Sequence, residues 1–426
     1  MPARPLPAAP PVEERAVLPA GFAAGGAGAG IKPSGRPDLG IVTVTTAGPA
    51  AAAGIFTRNL VQAAPVRLSR DHLAASGGAA RAMIVTSGCA NAATGPAGDV
   101  DQAQVAGALA GALGCDAAEV LCASTGLIGT RLPVDRVNAA IQPLLANGLA
   151  AGDAGWAAFA TAMLTTDTRL KAATTTVALP TDDHVSVRSV RVSGVAKGVG
   201  MIHPRMATMI AVLLTDAAAS PALLGDILRE ASAGSFEQTS VDGDTSTNDT
   251  LILLASGASG ASAPEPGSPE AALLGVAVAA VCRSLARQQA ADGEGATCLI
   301  TCRVEGAADL VDARAVSRSV VRSNLVKAAV HGHDPNWGRI AAAAGAALRP
   351  DGAPVDLVVA SLGIGLAGHA VFAGAPLDFD AAAVSAAMQG AEVLIELDLG
   401  RGQASAEAFG CDLSEAYVLE NSAYST

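Results

Sequence analysis

The stretch that most constrains the fold is Lys197-Gly-Val-Gly-Met-Ile-His-Pro-Arg-Met-Ala-Thr208, followed by the apolar run 209–214. Ahead of it, Val185, Val187, Val190 and Val192 stand among polar residues over 185–195, close to the two-residue period of a half-buried strand. Gly194, Gly198, Gly200 and Pro204 then break regular structure, so the chain turns sharply. The run from Met209 reads as a buried strand, which places Thr208 where an irregular loop enters the core, just after the small Ala207. A threonine there has two readings. In one it is a further β-branched strand residue. In the other its hydroxyl attacks the Ala207 carbonyl in a strained turn, the amide becomes an ester, and water releases a new N-terminus. The freed α-amine, with a reference pKa of about 7.7–8.0, then serves as base for its own hydroxyl near neutral pH. Local pattern leaves both open.

The wider sequence decides between them. KGVGMIHPRMATM resembles the self-cleavage segment of the ornithine acetyltransferase (glutamate N-acetyltransferase) family, written KG-x-GMI-x-P-x-MATM. Further blocks resemble the family in order: Gly30-Ile-Lys-Pro-Ser-Gly-Arg-Pro-Asp38, Phe56-Thr-Arg-Asn-Leu-Val-Gln-Ala-Ala-Pro65, Ser124-Thr-Gly-Leu-Ile-Gly129 and Thr165-Thr-Asp-Thr168. They continue with Val241-Asp-Gly-Asp-Thr-Ser-Thr-Asn-Asp249, Asp292-Gly-Glu-Gly-Ala-Thr297, Gly332-His-Asp-Pro-Asn-Trp-Gly-Arg339 and Asn421-Ser-Ala-Tyr-Ser-Thr426. The resemblance runs from about residue 20 to the end.

Pro-rich 1–20 reads from its own residues as a flexible tail, while the resemblance implies a cut between Ala207 and Thr208, an α chain over 21–207 and a β chain over 208–426. The two stay intertwined in an α2β2 assembly. It implies an α/β fold with a layered α-β-β-α arrangement and mixed sheets. It also implies the roles. Thr208 is the nucleophile; Thr125 and Gly126 form the oxyanion hole. Thr165 or Thr166, Lys197, Glu294, Asn421 and Thr426 position substrate. The activity implied is ping-pong transfer of acetyl from N2-acetyl-L-ornithine to L-glutamate in arginine biosynthesis, with acetyl-CoA left open as a second donor. The rival is a related self-processing acyltransferase or amidase acting on another acyl substrate. It is kept open by departures from the family pattern: Thr86 and Cys89 stand where asparagines are usual, and Cys298 where lysine is common. A non-enzymatic small-molecule-binding protein on an uncleaved fold is the reading from another class.

The residues themselves add bounds. A formal net charge of −12 opposes nucleic-acid binding, because phosphate would be repelled. The seven cysteines are odd in number and lack any C-x-x-C, so reduced, mostly buried thiols are expected. Pro2, Pro5, Pro7, Pro10 and Pro11 with Glu13 and Glu14 fit neither a signal nor a transit peptide. The longest apolar helical run, 271–282, reads as too short for a bilayer, which makes the chain soluble, free of membrane and cytoplasmic. No cofactor or metal is called for. Asp242, Asp244 and Asn248 suggest calcium, but Thr247 and Leu253 occupy the positions where an EF-hand needs Gly and Glu. His331 and His333 lack further zinc ligands. Gly-rich 24–30 does not fit a dinucleotide loop and reads as flexible packing. The turn 334–339, with Trp337, is expected to shape the pocket, and 391–397 with 404–410 to form a closing strand pair.

Overall fold

A computed structural model describes residues 7–182, 185–203 and 209–423. The cleavage residues Ala207 and Thr208, and the expected substrate contact Thr426, lie outside the described residues.

In chain order the first half runs β1 (Phe22–Ala27), β2 (Leu39–Val44), β3 (Ala50–Phe56), α1 (Ala64–Ala75), β4 (Ala79–Ala80), β5 (Ala82–Cys89) and α2 (Gly95–Leu113). Then come β6 (Val120–Leu127), α3 (Val134–Asn147), α4 (Asp153–Met163), β7 (Lys171–Pro180) and β8 (Val187–Lys197). The second half opens with β9 (Ile210–Thr215), α5 (Pro221–Ala233), β10 (Thr239–Ser240), β11 (Thr250–Ala255), α6 (Pro269–Ala291) and β12 (Leu299–Ala307). It closes with α7 (Leu310–Arg322), α8 (Asn324–His331), α9 (Trp337–Gly345), β13 (Gly363–Leu366), β14 (His369–Ala373), α10 (Ala381–Ala387), β15 (Glu392–Asp398), β16 (Ala404–Cys411) and α11 (Glu415–Ala423).

Three mixed sheets result, in the orders β1-β2-β5-β6, β4-β3-β11-β9-β8-β7 and β10-β16-β12-β15-β13-β14. The period-2 rule shows how the first two stack. On β9, Ile210, Val212 and Leu214 join a core with Phe22, Met83, Val85 and Leu121 of the four-stranded sheet. Ala211 and Leu213 point the other way, among α5 and α6 residues such as Leu224, Leu228, Val281 and Leu285. The outer face of the four-stranded sheet, with Ile41, Ile84 and Cys122, packs on Leu109 of α2 and Ile141 of α3. Helices, sheet, sheet and helices follow in turn, the α-β-β-α order. Strands β9 and β11 are buried along their whole length, covered on both faces, and are apolar but for Thr215 and Thr250 at one end of each.

The third sheet buries Ile300, Cys302, Val304 and Ile395 against Val316 and Val320 of α7 and Ile340 of α9. Its opposite face meets α6 through ion pairs of Arg283 with Glu407 and Arg287 with Glu392. Helix α6 spans 23 residues, longer than the run read from sequence, and is long and apolar enough by length and composition to cross a membrane. Here it is a core helix, with Leu274, Val278, Val281, Cys282 and Leu285 buried.

Several expectations are corrected. The tail expected over 1–20 is docked from Pro11 onward: the main chain of Glu13 exchanges hydrogen bonds with Thr174 of β7, and Val17 is buried. Glycine-rich 22–27 is a strand, not flexible packing. A β-carbon at Gly25 or Gly26 would lie 2.3 or 2.2 Å from the carbonyl oxygens of Gly148 and Ala158, so these glycines admit the backbone of the α3–α4 region. Strands β15 and β16 both form but do not pair with each other, because β12 lies between them. Trp337 opens α9 and packs on Phe372 rather than lining the pocket. All seven cysteines are free thiols, buried except the half-buried Cys115.

Candidate active site

Where β6 and β8 end, the 241–249 loop, the 292–297 turn and α11 close around a cavity of about 760 Å³. Of the residues expected to act, Thr125, Gly126, Thr165, Thr166, Lys197, Glu294 and Asn421 all line it. They come from five segments far apart in sequence.

Thr125 and Gly126 lie inside β6 rather than in a turn after it. Gly126 has φ +128°, and a β-carbon there would sit 2.3 Å from the Gly88 carbonyl carbon and 2.6 Å from the Cys89 nitrogen. The β5–β6 register shifts at this point. Only glycine lets the two strands approach so closely while one carries an irregular turn into the cavity. Lys197 ends β8 fully buried, and its ammonium donates to the Thr125 hydroxyl oxygen at 3.1 Å. An ammonium has no acceptor, so this bond occupies the hydroxyl as acceptor and leaves its own proton to donate elsewhere. Burial lowers the Lys197 pKa, as does nearby Lys171, against the pull of Asp167, Glu294 and Asp249.

The Thr165-Thr-Asp-Thr segment divides its work. The Thr165 amide donates to the Asp167 carboxylate at 3.1 Å, and the Thr165 hydroxyl has no partner among the described residues. The Thr166 hydroxyl donates to Glu294 at 3.0 Å. Asp167 accepts from the Gly198 amide at 2.8 Å and from buried Lys171 at 2.7 Å. Burial works against its ionised form, but Lys197 and Lys171 hold its pKa down at about 2. Lys171 also pairs with Asp292, which accepts from the Thr168 amide and hydroxyl. Two carboxylates around one buried ammonium thus lock the 165–168 turn, the start of β7 and the 292–297 turn together.

Glu294 faces the cavity with two neutral partners, the Thr166 hydroxyl and the Asn421 side-chain amide, each at 3.0 Å. A carboxylate held by neutral donors keeps its charge for a cationic ligand. Asn421 sits on α11, where it also donates to the Tyr417 carbonyl. Helix α11 is docked through His331, whose ring contacts Asp412 at 2.8 Å and Glu415 at 3.3 Å.

The 241–249 loop is structural as well as cavity-lining. Asp242 accepts from the amides of Met201, Ile202 and Asp244. Asn248 donates to the carbonyls of Ala90 and Ser124 at 2.7 and 2.8 Å, fixing the loop beside Thr125. Buried Asp249 accepts the Met209 amide at 3.0 Å, and desolvation pushes its carboxyl well above the ordinary carboxylate range. His203 faces Ser240 and Arg318 and does not line the cavity.

Sequence reasoning missed Lys32, Arg36, Asp242, Asp244 and Tyr417 as lining residues, and Asp167, Lys171 and Asp292 as the buried lock. A signal existed for one of them: Tyr417 lies four residues before Asn421, the spacing that puts two side chains on one helix face.

The family model of the ArgJ family matches residues 23–426. The chain is 44% identical over 409 residues to the arginine biosynthesis bifunctional protein ArgJ of Gloeobacter violaceus, covering 95% of this chain and 96% of that one. It is 45% identical over 412 residues to the protein of the same name from Deinococcus radiodurans, covering 96% and 98%. A solved ornithine acetyltransferase from Mycobacterium tuberculosis, complexed with ornithine, is 38% identical, with a TM-score of 0.40, covering 46% of this chain and 97% of the solved one.

Proposed function

The chain belongs to the ArgJ family, and from that premise we propose that it transfers acetyl from N2-acetyl-L-ornithine to L-glutamate through an acetyl-enzyme on Thr208. The observation that carries the reading is that all seven described residues expected to act line one cavity.

In the first half-reaction the Thr208 hydroxyl oxygen bonds to the acetyl carbonyl carbon, and its proton passes to the Thr208 α-amine freed by cleavage after Ala207. The tetrahedral oxyanion is stabilised by the Thr125 hydroxyl and the Gly126 amide, each donor being worth about 3–4 kcal/mol in such sites. Lys197 supports this by holding Thr125 with its proton free to donate. The carbon–nitrogen bond breaks, the α-amine returns the proton to the leaving nitrogen, and ornithine departs. Glutamate then attacks the ester by the same route reversed, which gives ping-pong kinetics. Glu294, held by Thr166 and Asn421, takes the δ-ammonium of the donor. Thr165, whose hydroxyl is unspent, is the better candidate of the threonine pair for direct substrate contact.

Cleavage after Ala207 puts β3, β4, β7 and β8 on one polypeptide and β9 and β11 on the other, all in one sheet. Six residue pairs join β8 to β9 and six join β3 to β11, which supports fragments that stay together. An α2β2 assembly and a cytoplasmic location complete the reading, and an acetyl-donor screen of the processed protein decides whether acetyl-CoA also serves.

The test is direct. N-terminal sequencing of the active preparation yields a species beginning Thr-Met-Ile-Ala, and denaturing electrophoresis shows two fragments. Thr208→Ala gives one full-length chain without transferase activity. An uncut wild-type chain with full activity overturns the mechanism.

A further inference from the structure

The two substrates of the proposed reaction pose an electrostatic problem that the cavity answers. Acetylornithine ends in an ammonium, glutamate in a second carboxylate. If their α-carbons share one seat, both distal groups come toward Glu294, where a carboxylate is repelled. The cavity is lined by the acids Asp242, Asp244 and Glu294 and by the cations Lys32, Arg36 and Lys197. Tyr417 lies within electrostatic reach of Asp242, Glu294 and Asp244, all acids. Lys32 lies within reach of Asp38 and Asp167 as well as of Lys197 and Arg36, and Lys197 within reach of Glu294.

The three cations differ in how far they are committed. The Lys32 ammonium donates to the carbonyls of Pro37 and Leu164 at 2.8 and 2.6 Å, and the Lys197 ammonium to Thr125. The Arg36 guanidinium is exposed, lines the cavity and has no ion pair or hydrogen bond among the described residues. Its loop is held in place: buried Asp38 accepts the amides of Ala29, Ile31 and Lys32 at 2.5, 2.6 and 2.9 Å. An unspent, always-charged fork on a fixed loop suits a carboxylate.

We infer that Arg36 is a specificity residue that binds the distal carboxylate of the acceptor amino acid, while Glu294 takes the donor's ammonium. The inference rests on the acetyl-transfer reading above.

The experiment measures both half-reactions of the processed protein with Arg36→Leu and Arg36→Lys. Arg36→Leu raises KM for glutamate about tenfold or more and changes the acetylornithine constant less than about twofold. Arg36→Lys recovers part of the loss. The wild-type preference for glutamate over the uncharged acceptor glutamine collapses in Arg36→Leu. Equal losses in both half-reactions, or an unchanged glutamate-to-glutamine ratio, overturn the inference while leaving the transfer reading intact. A processed wild-type protein that moves no acetyl from acetylornithine overturns that reading, and this inference with it.

Discussion

Replacing Gly126 with alanine tests the strand geometry and the chemistry together. The φ of +128° is one that a side chain adopts only with strain, at about 1–3 kcal/mol. The new methyl would lie 2.3 Å from a backbone carbon of Gly88 and 2.6 Å from the Cys89 nitrogen, neither of which can swing aside. Overpacking of that kind costs about 1–3 kcal/mol more. If β5 and β6 part to relieve it, the Gly126 amide leaves its place and kcat falls about 10²- to 10³-fold. The control is the same chemical change at Gly111, inside α2, where a β-carbon meets nothing within 4 Å. There alanine stabilises the helix by roughly 0.5–1 kcal/mol. Melting temperature and single-turnover acyl transfer, measured on both variants, should move in opposite directions for stability and only in Gly126→Ala for rate. A Gly126→Ala protein with wild-type melting and wild-type kcat would refute the reasoning.

Two further outcomes are expected. At Gly200 a β-carbon would lie 2.2 Å from the Glu294 carboxylate, which is free to swing away, so Gly200→Ala should break its bonds to Thr166 and Asn421. KM for acetylornithine then rises about tenfold or more, since hydrogen bonds to a charged group are worth roughly 1.5–3 kcal/mol; an unchanged KM rejects that account of Glu294. The Asp412 hydrogen bond raises the His331 pKa, with burial opposing and Glu415 assisting. A group raised on folding contributes stability that is full below its unfolded pKa of about 6.5 and is lost as pH climbs through the folded value. Melting curves across neutral to mildly alkaline pH should therefore decline more steeply for the wild type than for His331→Gln, and parallel curves would exclude the linkage.

How far the sequence was legible depended on how local the cause was. Helix α3 is legible because Val137, Ile141 and Leu144 repeat at helical spacing. Strands β8 and β9 were likewise found, from alternation and from an unbroken apolar run. Helix α7 carries the same signal, with Ala313, Val316, Val320 and Val321 at helical spacing, although its buried face also takes in the polar Asp312 and Ser317. The pairing of β15 and β16 was misread because nothing near them shows that β12, about ninety residues earlier, inserts between them. At the site, the residues expected to act carry a recognisable motif, whereas Lys171 between Asp167 and Asp292 does not. A buried ammonium looks like any surface lysine until the fold supplies its two acids.

The order of strands in the six-stranded sheet has a consequence for recovery after damage. A single uncut chain regains that sheet by a first-order process. In a chain cut before Thr208, as proposed, the same sheet has to be rebuilt from two molecules that must meet, a second-order event that fails on dilution. The working lifetime of such a cut protein is then set by how slowly it opens rather than by how well it refolds.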